Sequence, residues 1–151
     1  MFTKREQGVI DRALQIMEKK VLTYDTNAQL NSVDNFKAYI TLKIVNPHQE
    51  YFWVGYLSSQ HQLIKGVVEF KGTIDSASVY PRIIAKHALE LGAAAIVLAH
   101  NHPSGYPEPS LADKNITSKI TNAMNMIDIT VLDHFIVGPN QIVSFAQRGL
   151  I

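Results

Sequence analysis

The chain has 151 residues, of which 46% are hydrophobic and 18% charged, and its 14 basic residues nearly balance 13 acidic ones for a net charge of +1. A chain of roughly 150 residues hides about 70% of its unfolded surface, which suits a single domain; no apolar run approaches the roughly 20 residues of a transmembrane helix, and the balanced charge lacks the basic footprint of phosphate-backbone binding. Cysteine is absent, which excludes disulfides, thiolate metal sites and thiol nucleophiles, so any zinc must be held by histidine and carboxylate.

The opening MFTKREQGVIDRALQIMEKK is charged and amphipathic, unlike a signal peptide, and implies a cytoplasmic location. Ile10, Ala13, Leu14, Met17 and Val21 recur at helical spacing, so residues 4–20 are expected to form a helix whose stripe packs on a core. Asn31 or Ser32 can cap a second helix carrying Phe36, Ile40 and Ile44, with Pro47 as its stop. YFWVGYL, residues 51–57, reads as a strand buried on both faces, and residues 63–70 follow it as the second strand of a hairpin.

Ser76 or Ser78 can start a helix with Ile84, Ala88 and Leu91 inward and Gly92 as its stop. AAAIVLA, residues 93–99, reads as a buried strand, and the loop HNHPSGYPEPS after it holds three of the six prolines, which excludes regular structure there. Ser110 opens a further helix packed through Ile116, Ile120, Met124 and Ile127, and ITVLDHFIV and QIVSF close the chain as strands around the turn Gly138-Pro139-Asn140-Gln141. Strands and helices alternate throughout, so the expected fold is α/β (α+β mixed): one mixed β-sheet flanked by helices.

His100 and His102 follow the AAAIVLA strand, and residues two apart in extended chain project to the same side. Asp113 falls in the first turn of the helix opened by Ser110, and the stiff proline loop can fold that turn back over the histidines. Two imidazoles and one carboxylate suit zinc, and three protein ligands leave the fourth position open, which is the catalytic pattern. Zinc in such a site lowers the pKa of water to about 7 and polarises a carbonyl, chemistry that favours hydrolysis. A carboxylate is then needed to carry a proton to the leaving amine. Glu50 and Glu69 each adjoin a predicted core strand and are the candidates.

The run His100-x-His102, seven residues, Ser110, two residues, Asp113 resembles the JAMM (MPN-plus) metalloprotease motif. AHNHPSG, EFKGTIDSASVYPR, ALELGAAAIVLAHNHPSGYPEPSLAD and VLDHFIVG resemble the bacterial RadC family over residues 48–151, with residues 1–47 as an N-terminal helical segment packed on that domain. The resemblance implies a cytidine-deaminase-like fold, zinc bound by His100, His102 and Asp113, an oxyanion-stabilising role for Ser110, and cleavage of a peptide or isopeptide bond in a peptide or protein substrate. Aligning EYFWVGYLSSQHQLI with the family's glutamate-bearing strand puts the catalytic base at Glu50, with Glu69 as the fallback. Longer RadC proteins carry a helix-hairpin-helix region for which the first 47 residues are too few, so the chain resembles the short, stand-alone form.

Plainer readings stand beside these. Ser110 and Asp113 also form a capping-box signature, and Glu50 could be a solvated residue at a strand edge. His48, His61 and His87 read as structural or solvated, and His134 either orients a ligand or is a satisfied core histidine, outside the candidate site in both cases. Asn101, Pro103, Ser104 and Gly105 shape the loop. The competing functions are a partner-docking module without catalysis and a DNA-repair-associated factor, the second disfavoured by the scattered charge. A zinc deaminase is excluded because its Pro-Cys-x-x-Cys ligands need cysteine.

Overall fold

Residues 2–20, 32–44, 48–74 and 78–151 are described by a computed structural model. The N-terminal stripe forms helix α1 (Lys4–Lys20), which buries Leu14 and packs Ile10 and Met17 against the core. Helix α2 (Ser32–Ile44) contributes more, with Phe36, Tyr39, Ile40 and Ile44 all fully buried. Asn31 and Pro47, the expected cap and stop, lie outside the described residues, as do the Ser32 side chain and Ser76.

The aromatic segment is strand β1 (Tyr51–Leu57), paired antiparallel with β2 (Leu63–Lys71) as a hairpin. Its turn closes where the Ser58 amide donates to the Gln62 carbonyl at 2.9 Å, with His61 at φ +60°. Helix α3 (Pro81–Leu91) begins later than Ser78 would allow. Proline at the first helical position has its φ preset and lacks the N–H a cap would satisfy, and Ser78 instead donates its hydroxyl to the Thr73 carbonyl. Gly92 ends the helix in the left-handed region at φ +63°, as its sequence position implied.

Strand β3 (Ala95–Asn101) is buried along its whole length, and helix α4 (Leu111–Asn125) leads from it to β4 (Thr130–Val137) and β5 (Ile142–Ser144). Ile127 falls in the turn after α4 rather than on it, yet still packs against the core. The five strands form one sheet in the order β2-β1-β3-β4-β5, and β3–β4 is its parallel pair. Parallel neighbours need a crossover, and α4 supplies it.

Helices cover both faces. Leu14, Phe36, Tyr39 and Ile40 pack with Trp53, Val97 and Phe135 on one side, while Ile84, Ala88, Ile116 and Ile120 pack with Phe52, Val54 and Leu98 on the other. This is the mixed sheet between helices expected from the sequence. Among the described residues no helix is long and apolar enough to cross a membrane.

One local rule of the core was not anticipated. Gly55 and Gly66 face each other across the hairpin, and a Cβ at either would come within 2.5 Å or 2.4 Å of the Trp53 indole. The facing pair is glycine because the ring lies across it, edge-on to Tyr39 at 5.8 Å between centroids.

Candidate metal centre

Strand β3 carries the first histidine. Expected just past the strand, His100 lies inside it, paired with Phe52 on β1 and Ile136 on β4, and only 1% exposed. The extension comes from tertiary pairing: the His102 amide donates to the Val137 carbonyl at 2.9 Å, which prolongs the ladder toward the loop. His102 therefore sits one residue beyond β3, and Phe52 stacks on the His100 ring at 6.0 Å.

The loop then bends sharply. The Gly105 amide donates to the His102 carbonyl at 3.0 Å, with Gly105 at φ +90°, a backbone region that glycine enters without strain. Tyr106 returns over the histidine, and its carbonyl lies 2.6 Å from His102 Nδ1. A carbonyl can only accept, so Nδ1 carries the hydrogen, and the neutral form of the ring presents a bare Nε2. Buried Pro107 and Pro109 lead to Ser110, the N-cap of α4.

The α4 N-terminus forms a complete capping box: Ser110 Oγ accepts the Asp113 amide at 3.0 Å, and Asp113 Oδ2 accepts the Ser110 amide at 2.7 Å. The cap and the metal-ligand readings are thus compatible, because the carboxylate also faces the histidines. Asp113 Oδ1 lies 3.0 Å from His100 Nε2, Oδ2 lies 3.4 Å from His102 Nε2, and the two Nε2 atoms are 2.8 Å apart. One ligand atom from each of His100, His102 and Asp113 falls within 4.8 Å of the others, a group able to hold a metal ion.

Electrostatics follow from this convergence. Burial raises the Asp113 pKa, but the neighbouring His100 and His102 rings and the Ser110 amide outweigh it and hold the carboxyl well below its usual range. For His102, burial opposes the charged form, yet the Asp113 carboxylate and the Tyr106 carbonyl prevail and raise the pKa above its ordinary value. Glu50 adds to that rise through its charge.

The two glutamate candidates part company. Glu50 precedes β1 at the end of the sheet where His100 lies; its carbonyl accepts the Gly72 amide at 3.0 Å and its Oε2 accepts the Ile74 amide at 2.6 Å. Glu69, the fallback, is turned elsewhere, with Oε1 at 2.5 Å from the Tyr56 hydroxyl and 2.7 Å from His87 Nδ1. His87 is accordingly a partnered residue at the junction of α3 and β2.

Three residues outside the expected site support it. Asn101, assigned only to loop shape, accepts the Tyr51 amide at 2.7 Å and donates to the Gln49 carbonyl at 2.9 Å, and so clamps the chain on both sides of Glu50. His134 on β4 is fully buried with Nε2 2.8 Å from His100 Nδ1, and Thr117 Oγ1 on α4 lies 2.6 Å from His134 Nδ1. Burial pushes the His134 pKa well down. Asn101 could have been noticed from its place between two histidines. The Thr117 and His134 contacts join residues 17 positions apart, and those of His134 and His100 residues 34 apart, so no local pattern signals them.

Comparison with known proteins agrees with this architecture. The model of the RadC-like JAB domain matches residues 30–150. The chain is 46% identical over 145 residues to a UPF0758 protein of Aliivibrio fischeri (strain MJ11) and 49% identical over 145 residues to one of Pseudoalteromonas translucida (strain TAC 125), covering 96% of this chain and 63% of each relative. A UPF0758 protein of Vibrio cholerae is 44% identical over 144 residues, covering 95% of this chain and 89% of the relative. The chain thus spans less than two thirds of the first two of these relatives and most of the third. With the five-stranded mixed sheet and its flanking helices, these matches place the fold among JAB/MPN domains, and the chain belongs to the RadC family.

Proposed function

We propose that the chain is a JAMM-type zinc hydrolase that cleaves a peptide or isopeptide bond in a peptide or protein substrate. The observation that carries this reading is the convergence of His100 Nε2, His102 Nε2 and the Asp113 carboxylate, where the His102 hydrogen is already given to Tyr106 and the carboxylate brings none. Buried acceptors facing one another without donors are costly, and a cation relieves them. Imidazole and carboxylate are borderline-to-hard ligands that suit zinc.

Bound zinc would supply Lewis acidity, polarising a carbonyl and acidifying water. The remaining tasks fall to the chain. Glu50 is anchored through Oε2 to the Ile74 amide, which leaves Oε1 to take a proton from the attacking water and return it to the leaving amine. Ser110 uses an Oγ lone pair in the cap, so its hydroxyl hydrogen is free to stabilise the developing oxyanion. We further propose residues 1–47 as a helical segment packed on the 48–151 catalytic domain, a cytoplasmic location and no membrane partner; the charge balance gives no indication of nucleic acid.

The test is a screen of zinc-loaded protein against peptide and isopeptide substrates with Glu50→Gln as the matched control. Cleavage by the parent and its loss in Glu50→Gln with zinc retained supports the reading; equal rates in both overturn the role of Glu50. Zinc retention with no cleavage of any substrate would favour a partner-docking module.

A further inference from the structure

We infer that His134 and Thr117 are positioning residues that set the tautomer of His100, so that its Nε2 lone pair faces the metal. The inference rests on the metal-centre reading and follows from the direction of three hydrogen bonds. The Thr117 hydroxyl lies 2.6 Å from the Asp113 carbonyl, and a carbonyl only accepts, so the hydroxyl hydrogen is spent there. His134 Nδ1, 2.6 Å from the same oxygen, must therefore donate to it.

The second nitrogen of that ring decides the rest. The His134 ring is fully buried among His100, Phe52 and Phe145, and the neighbouring Asp133 carboxylate is occupied by the His134 and Ala146 amides and the Ser144 hydroxyl. Among the described residues no carboxylate is hydrogen-bonded to the ring, and a buried imidazolium without one is costly, so the ring is neutral there and its Nε2 can only accept. His100 Nδ1, 2.8 Å away, carries the hydrogen and donates it, which leaves His100 Nε2 bare. That nitrogen is the one 3.0 Å from Asp113 Oδ1 and 2.8 Å from His102 Nε2.

The chain of bonds starts at one metal ligand and ends on the backbone of another. It runs from β3 to β4 to α4, so the ring on the strand and the carboxylate on the helix are held in register by the same hydrogens that set the tautomer. Groups bonded to the far nitrogen of a metal-binding histidine typically change metal affinity by roughly 10–100-fold when removed.

Two measurements test this. In metal-free protein, nitrogen NMR of the imidazoles should show His100 and His134 both protonated at Nδ1; a His100 ring protonated at Nε2 overturns the inference whatever the metal does. Zinc affinity, measured by competition with a chromophoric chelator, should fall roughly 10–100-fold in His134→Phe. It should also fall in the near-isosteric Thr117→Val and recover in Thr117→Ser, whose hydroxyl restores both bonds. A cooperatively folded Thr117→Val with parental affinity and unchanged tautomers overturns the inference, and Thr117→Val stands as the deciding variant if His134→Phe does not fold. A parent with the expected tautomers that takes up no zinc would overturn the metal-centre reading itself, and with it the purpose of the chain, while leaving the tautomer assignment intact.

Discussion

Glu69 and Asp113 are both nearly buried carboxylates beside histidine, yet their neighbours offer them opposite chemistry. Glu69 receives hydrogens, from the Tyr56 hydroxyl and from His87 Nδ1, and burial together with Glu69 pushes the Tyr56 pKa up, so the phenol keeps the proton it donates. Asp113 receives the Ser110 amide and then faces two ring nitrogens, one of them bare because the His102 hydrogen is given to Tyr106. A carboxylate that receives its hydrogens ties a hairpin to a helix. A carboxylate facing lone pairs can share a cation with them. Both places hold a carboxylate beside histidine, and the direction of the hydrogen bonds separates them.

The largest effects should come from breaking the second cluster. Asp113→Ala is expected to abolish zinc uptake, measured by elemental analysis of purified protein, whereas Glu69→Gln should leave the metal content at the parental value. Metal loss in Glu69→Gln would erase the distinction between the two clusters. Glu50→Gln should lower the cleavage rate by roughly 10²–10⁴-fold, the usual contribution of a general base, with zinc retained; chelation of the parent should remove activity as well, and added zinc should restore it.

Breaking the first cluster should instead cost stability. Glu69→Ala strands the Tyr56 hydroxyl and exposes a cavity, and is expected to lower the free energy of unfolding by about 2–4 kcal/mol with parental zinc affinity. Urea denaturation with parallel zinc titration reads both quantities. Gly66→Ala drives a Cβ into the Trp53 indole and should cost about 1–3 kcal/mol, again without touching the metal. Smallest is Ser110→Ala, where loss of the N-cap should cost about 1 kcal/mol; a fall in cleavage rate beyond the effect on stability would separate its catalytic part from its structural one.

Much of the site was legible because its signals are local. Two histidines at spacing two in an extended segment share a side whatever surrounds them, and Ser110 with Asp113 announces a helix start through a bond that closes within four residues. The Gly92 stop and the strands at 51–57 and 63–70 were equally readable from nearest neighbours. The helix expected from Ser78 was misplaced because two local signals competed, and the proline at position 81 outweighed the serine.

The remainder depended on strand order. His134 stands beside His100 only because β4 pairs parallel to β3, and Glu69 meets His87 only because α3 packs over the hairpin at β2. Sequence by itself determined which atoms were available to hold a metal: two imidazoles, one carboxylate, and no thiol anywhere in the chain. Tertiary structure decided which lone pairs were free to do so, because a hydrogen's direction depends on the acceptor opposite it, and those acceptors arrive from distant strands and helices.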